Sequence, residues 1–361
     1  MKNILLILVG GTICTQLNEN GSLSVYDGAG AVLKSNFQNS DSQYAKSVNI
    51  NLSENLYILS ENMTVDKWNL IIETYCKLTK NKVYDGIIFA HGTDTLAYSA
   101  ALFSQLLSGT KIPVFFVSSN KRLDAEDTNG NDNFRCAVEC ICNGITPNVY
   151  AVYKNPSDNQ MYLHIASRLR QCENYSDDFY SVGQFNITNI TNENCGEYFE
   201  KIKSFYPEHL RKPLIDIYNM SKLKPCVLLI EPYVGIDYSA YNYKKYSAVL
   251  HGTFHSGTAC VQKNKSVADY DESSILYMID QCAKDEIAVD TYLSPALYQE
   301  GTYETVWVID SHIANNKKIK FLYGYTKETA YAKLLIAYSL FDDQKTRKKF
   351  IETECNFERI K

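Results

Sequence analysis

Over the first 153 residues, short aliphatic runs alternate with amphipathic stretches, and this alternation constrains the fold more than any other feature of the chain. The runs 4–9, 56–59, 86–90, 114–118 and 149–153 are short, β-branched or aliphatic, and read as buried strands. The stretches 65–78, 95–107 and 132–143 between them repeat at helical spacing. In the first of these, Trp68, Ile71, Ile72, Tyr75 and Leu78 keep to one face, and Thr64 stands where an N-cap is needed. The pattern predicts an α/β fold: a doubly wound, mostly parallel sheet with helices on both faces.

The periodicity fades over 186–225, where Asn, Lys, Glu and Ser dominate and Pro207 and Pro213 punctuate. A smaller α/β pattern follows, with strands expected at 226–230 and 287–290 and helices at 273–283 and 327–340. The expected organisation is an N-terminal domain over 1–205, a linker over 206–225 and a smaller C-terminal α/β domain over 226–361.

Composition narrows the partners. With 36 basic and 41 acidic residues the net charge is −5, too weak and of the wrong sign for a dedicated nucleic-acid binder. The 11 cysteines are scattered and odd in number, which fits neither a disulfide framework nor a zinc site and points to reduced, mostly buried thiols. The apolar run at the start is six residues long before Gly10-Gly11. That is shorter than a signal h-region and far short of the about 20 apolar residues of a membrane span, so no membrane association and a cytoplasmic location are expected.

Chemistry concentrates in two segments, Gly10-Gly11-Thr12-Ile13 and His91-Gly92-Thr93-Asp94-Thr95, each directly after a buried strand. In a doubly wound sheet ligands gather beyond the carboxyl ends of the strands. Glycine lets a ligand approach the backbone, and helix starts offer unpaired N–H groups to a developing oxyanion. Either segment alone also reads as an ordinary turn or N-cap.

Together the two segments lie roughly eighty residues apart, with Ser60-Glu61 at a third expected strand end between them, and the set resembles the asparaginase/glutaminase family of Thr amidohydrolases. Ser60-Glu61-Asn62-Met63-Thr64 followed by Trp68 is similar to the family's segment for gripping the α-amino and α-carboxylate groups. The stretch 132–137 after Asn129-Gly130, and the final helix with Ala330, Lys333 and Leu334, are similar as well. The resemblance implies that Thr12 is the nucleophile and Thr93 a second active-site hydroxyl, with Thr93 and Asp94 supporting proton transfer. Gly11, Gly92, Ser60, Glu61 and Asp94 would bind the substrate amino acid. It also implies no metal or organic cofactor, and a homotetramer of paired dimers with an acidic residue donated by a neighbour, for which Glu300, Glu304 and Asp310 are candidates by position.

Two departures matter. Relatives carry a Tyr on the loop after the first Thr; here Tyr26 and Ser22 compete for that place, and Tyr26 is the candidate. Relatives also carry a Lys beside the second Thr, at a position near Arg170 in this chain. Arg170 or Arg168 would supply only positive potential there, because guanidinium does not exchange its proton readily. Lys121, on the loop after the 114–118 strand, is the competing source of an ammonium and otherwise reads as an exposed loop charge. His251 and His255 stand four apart, but Gly252 and Gly257 oppose a helix, so a turn at a subunit interface is expected there rather than a metal site.

The expected activity is hydrolysis of L-asparagine, with weaker action on L-glutamine. A non-catalytic amino-acid-binding protein and an ammonia-releasing amidotransferase subunit are the alternatives. Such a subunit is expected to have a further N-terminal domain ahead of the first strand.

Overall fold

Ile4, Leu5, Leu6, Ile7 and Leu8 are all buried, so β1 (Lys2–Leu8) is covered on both faces, as a central parallel strand must be. In the structure, a computed structural model describing residues 1–191, 193–263, 270–284, 290–293, 303–315 and 319–360, β1 lies between β2 (Val48–Leu52) and β3 (Gly86–Ala90). From β3 the sheet continues through β4 (Val114–Val117), β5 (Val149–Asn155), β6 (Gln160–Ile165) and β7 (Phe185–Asn186). Pairing is parallel from β2 to β5 and antiparallel for β6 and β7. The order β2-β1-β3-β4-β5 reverses direction between β1 and β3, which makes their ends the topological switch point.

Helices α1 (Ala29–Gln38), α2 (Val65–Thr79), α3 (Leu96–Leu106) and α4 (Gly130–Cys142) cover both faces. Phe37 of α1 and Phe134 of α4 belong to one core with Leu6, Ile88 and Phe115. Alternate strand residues turn the other way: Phe89 stacks on Phe116 and meets Tyr75 of α2 and Phe103 of α3. Thr64 caps α2 by accepting the Lys67 N–H. The fold is therefore α/β and doubly wound, as the alternation predicts.

By its contacts the chain divides into two units, Met1–Met220 with Glu354–Phe357, and Ser221–Thr353 with Glu358–Lys361. The first unit also holds α5 (Cys195–Phe205), whose Phe199 and Ile202 join the core. The second is a parallel sheet in sequence order, β8 (Val227–Ile230), β9 (Ala248–His251), β10 (Asp290–Leu293) and β11 (Ile319–Phe321). It carries α6 (Ile275–Ala283), α7 (Glu304–Asn315), α8 (Lys327–Leu340) and α9 (Gln344–Glu352). Lys333 of α8 and Glu358 form a fully buried ion pair at 2.5 Å.

Two expectations are corrected, and a third lies mostly outside the described residues. Residues 56–59 are extended but form no ladder strand: the Leu56 and Ile58 N–H groups bond Leu8 and Val9 carbonyls, while Tyr57 turns to φ +55° with its N–H on the Asn55 side chain. The strand beside β1 is β2 instead, where Val48 and Ile50 point inward and Asn49 and Asn51 outward. The fading stretch 186–225 contains α5. The expected strand at 287–290 falls mostly outside the described residues; the described strand is Asp290–Leu293.

All eleven cysteines are free of disulfides, and no helix among the described residues is long and apolar enough to cross a membrane. Burial pushes three imidazoles below their ordinary value: His91 and His251 to about 4 and His164 to about 3. Each is neutral when folded, whereas the unfolded chain takes up protons below about pH 6.5. Their stabilisation is therefore complete above pH 6.5 and is lost as the pH falls toward the folded values, by about 2–3 kcal/mol per group at pH 4.5. Thermal unfolding should weaken between pH 6.5 and 4.5, and His164→Asn, which keeps a polar partner for Ser181, should flatten that slope. An unaltered slope in the variant would refute the assignment.

Candidate active site

The turns that follow β1 and β3 carry glycines that touch. Gly10 and Gly11 take φ of +135° and +77°, backbone that L-residues rarely adopt, and a Cβ on Gly11 would fall 2.1 Å from the Gly92 α-carbon. A Cβ on Gly92 would fall 2.4 Å from Ser60 Oγ. Both positions therefore require glycine, and the turns that follow are held against each other: Thr12–Cys14, Ser60–Asn62 and Thr93–Thr95, each a single 3₁₀ turn. The two threonine segments and the Ser60 segment thus meet at the switch point.

Ser60 is buried and sits at the centre of a small hydrogen-bond set. Its hydroxyl donates to Asp94 Oδ2 at 3.0 Å and accepts the Asp94 N–H at 3.3 Å, and its carbonyl accepts from the Thr95 hydroxyl at 3.1 Å. Thr12 and Thr93 are half-buried, while Asp94 and Glu61 are exposed at the edge. The arrangement presents two hydroxyls and two carboxylates to solvent from a rigid sheet end, with the N–H groups of two short turns beside them.

The residues behind this edge are neutral. His91 is fully buried, its Nδ1 2.8 Å from the Gly92 carbonyl oxygen and its Nε2 without a hydrogen-bond partner among the described residues. Cys14 is buried beside Thr12, and burial pushes its thiol up to about 12, which makes it inert as a nucleophile.

Tyr26 is brought close through a hairpin. Thr15–Leu17 pairs with Leu23–Val25, and the Tyr26 N–H bonds the Cys14 carbonyl, two residues from Thr12. Partial burial, and then Cys14 and Asp124, hold the Tyr26 phenol above its usual range. Ser22 stays at the exposed hairpin tip, bonded to Asn20. The Tyr57 hydroxyl donates to Asp27 and ties the end of this loop to the Ser60 segment's approach.

The three candidate cations are engaged elsewhere. Lys121 Nζ pairs with Asp127 at 2.5 Å within its own exposed loop. Arg170 is exposed and pairs with Glu173 at 3.3 Å. Arg168 donates to the Phe357 carbonyl at 2.6 Å and lies over the Tyr206 ring. The side chain from this segment that reaches the second threonine turn is Gln171, whose Nε2 donates to the Thr93 carbonyl at 2.7 Å. Sequence reasoning missed it because nothing local marks a glutamine whose partner lies 78 positions away.

In the second unit His251 is the last residue of β9, buried, with Nε2 2.8 Å from the Tyr238 hydroxyl; His255 is exposed. Among the described residues no group of three His, Cys, Asp or Glu is arranged to hold a metal. Glu300 lies outside the described residues, Glu304 opens α7, and burial holds the Asp310 carboxyl above its usual range. A cavity of about 560 Å³ flanks α4, but its cations are already paired, Arg135 with Asp41 and Asp132 and Lys154 with Asp132.

Comparison with known proteins identifies the family and the fold. Residues 3–201, more than half of the 361, match the family model described as "Asparaginase, N-terminal". The fold superposes on the thermostable L-asparaginase from Thermococcus kodakarensis (TM-score 0.69, 17% identity) and on L-asparaginase I from Vibrio cholerae (TM-score 0.67, 19% identity), with 99% of each chain covered in both cases. At these identities the likeness concerns the fold. Among curated relatives, a glutamyl-tRNA(Gln) amidotransferase subunit from Haloquadratum walsbyi is 30% identical over 183 residues, 50% of this chain and 40% of that protein. Its counterpart in Archaeoglobus fulgidus is 27% identical over 238 residues, 64% of this chain and 54% of that protein. The chain thus spans about half the length of these relatives. The match over residues 3–201 shows that the chain belongs to the asparaginase family.

Proposed function

We propose that this protein hydrolyses the side-chain amide of L-asparagine to L-aspartate and ammonia. The observation that carries the reading is the Gly11–Gly92 contact, which brings the Thr12 turn against the turn of Thr93 and Asp94. An amide carbonyl is a poor electrophile and needs an activated hydroxyl, donors for the oxyanion and a proton for the leaving nitrogen. In the proposed reaction Thr12 Oγ1 adds to the amide carbon, its proton passes to the departing nitrogen, and ammonia leaves as the aspartyl ester forms. Water then cleaves the ester and returns the proton to Thr12. Asp94, held by Ser60, takes the substrate's α-ammonium, and Ser60 and adjacent N–H groups face its α-carboxylate. Thr93 assists proton transfer, and Tyr26 covers Thr12 when the hairpin closes.

A second reading is favoured by the curated relatives: a source of ammonia within a glutamyl-tRNA(Gln) amidotransferase, the assembly that their names specify. The isolated chain separates the two. An asparaginase releases ammonia from asparagine alone, whereas a dependent subunit releases it at a useful rate only with its partner. The proposal includes a homotetramer of paired dimers in the cytoplasm, where eleven thiols stay reduced.

Purified protein should release ammonia from L-asparagine faster than from L-glutamine, and Thr12→Ala should lower that rate at least about a thousandfold while aspartate still binds. Aspartate binding without turnover in the wild type would refute the hydrolase reading. Gly92→Ala should lower kcat/KM about a hundredfold or more, because the added methyl displaces Ser60; near-wild-type kinetics would refute the role given to the glycine contact.

A further inference from the structure

We infer that Gln171 is a positioning residue whose neutral carboxamide clamps the turn bearing Thr93 and Asp94. Its Nε2 donates to the Thr93 carbonyl at 2.7 Å, and its Oε1 accepts the Ala97 N–H, in the first turn of α3, at 3.2 Å. The partners fix the orientation of the amide: the flipped form would set oxygen against the Thr93 oxygen and NH₂ against an N–H.

The start of α3 needs such help. Thr95, at its N-cap position, makes no side-chain cap; its hydroxyl is turned to the Ser60 carbonyl. A first-turn N–H of α3 is therefore satisfied from a segment 74 positions away. That segment is itself fixed. Leu169 is buried, and Leu169–Arg170 pairs with Tyr180–Ser181. Ser167 donates to the Asn356 carbonyl, and Asn356 donates to the Ser104 carbonyl near the far end of α3. Anchored in this way, Gln171 holds the Thr93 turn from one side while Ser60 holds Asp94 from the other.

The chemistry of the clamp is specific to glutamine. It demands a donor toward Thr93 and an acceptor toward Ala97 on one side chain of this length. Lysine offers only the donor, an ionised carboxylate only the acceptor, and methionine neither. The consequence for turnover rests on the proposed hydrolase reading; the consequence for the turn does not.

Peptide-level amide hydrogen exchange and ammonia release from asparagine, measured on the full chain, test this. In Gln171→Met, exchange at residues 96–98 should accelerate about tenfold or more, kcat should fall about ten- to a hundredfold, and KM should stay within about threefold because Ser60 still holds Asp94. In Gln171→Glu, activity relative to wild type should be low at pH 8 and recover as the pH falls through the ordinary glutamate value of about 4.3, as the carboxyl protonates and again donates to Thr93. Asp94 and Glu61 on the neighbouring turns, the Cys172 thiol with Asp94 and Asp177 as its charged neighbours, and the Arg170–Glu173 pair are common to both proteins, so the ratio removes their own titration. Unchanged exchange in Gln171→Met, unchanged kcat despite faster exchange, or a flat ratio in Gln171→Glu would each overturn the assignment. If Gln171→Met does not fold, Gln171→Lys, which keeps the donor, takes its place in the exchange and kcat measurements. If wild type releases no ammonia, the hydrolase reading fails, and the exchange data still decide the clamp.

Discussion

Gly11 and Gly92 lie face to face where β1 and β3 end, and the geometry of the site depends on that contact. At a switch point, adjacent parallel strands send their connections to opposite faces of the sheet. Here the chain after β1 leads to α1, which packs with α4 on one face, and the chain after β3 leads to α3 on the other. The two exits must diverge, and a crevice opens between them. Side chains at positions 11 and 92 would wedge it apart. With none, the backbones stay in contact, and Thr12 and Thr93, each one residue further on, stand on its two walls.

The central sheet was legible in the sequence because its strands are buried on both faces. The runs that became β1, β3, β4 and β5 are apolar throughout, and α2 and α8 carry clear periodicity or full burial. The edge was harder to read. β2 reads Val-Asn-Ile-Asn-Leu, an alternation that buries one face only, and its neighbour Leu56-Tyr57-Ile58-Leu59 looks more strand-like while making only one-sided bonds to β1. Hydrophobicity identifies a buried segment without saying whether its carbonyls find partners, and the left-handed Tyr57 is what denies this one a ladder. Helix α5 escaped for the opposite reason, having few apolar residues, of which Cys195, Phe199 and Ile202 suffice to dock it.

Within the site, the features that are local in sequence were readable and those that act through space were not. Glycines followed by hydroxyls at strand ends announce themselves. The resemblance puts the cation beside Thr93 near Arg170, and the sheet edge offers Lys121, yet exposed cations settle on carboxylates close at hand, as Lys121 does on Asp127 and Arg170 on Glu173. Gln171 lies one position beyond Arg170, and the Leu169–Arg170 strand with the Arg168 anchor turns it, rather than either arginine, toward the turn.

This outcome bears on what the edge can recognise. Among the described residues, the hydrogen bonds that reach Ser60, Thr93 and Asp94 come from one another, from Thr95, from Gln171 and from backbone N–H groups, none of them cationic. His91 behind them is neutral, held so by complete burial. Asp94 and Glu61 therefore face solvent, and among the described residues no cation is bonded to Asp94. Such an edge favours a ligand that brings its own positive charge, and the N–H groups of the short turns beside it offer donors for a carboxylate. A free amino acid carries both on one carbon. Under the proposed reading the substrate's ammonium supplies the charge that the arginines and Lys121 withhold, so that binding and the local electrostatics of the threonine pair become a single event.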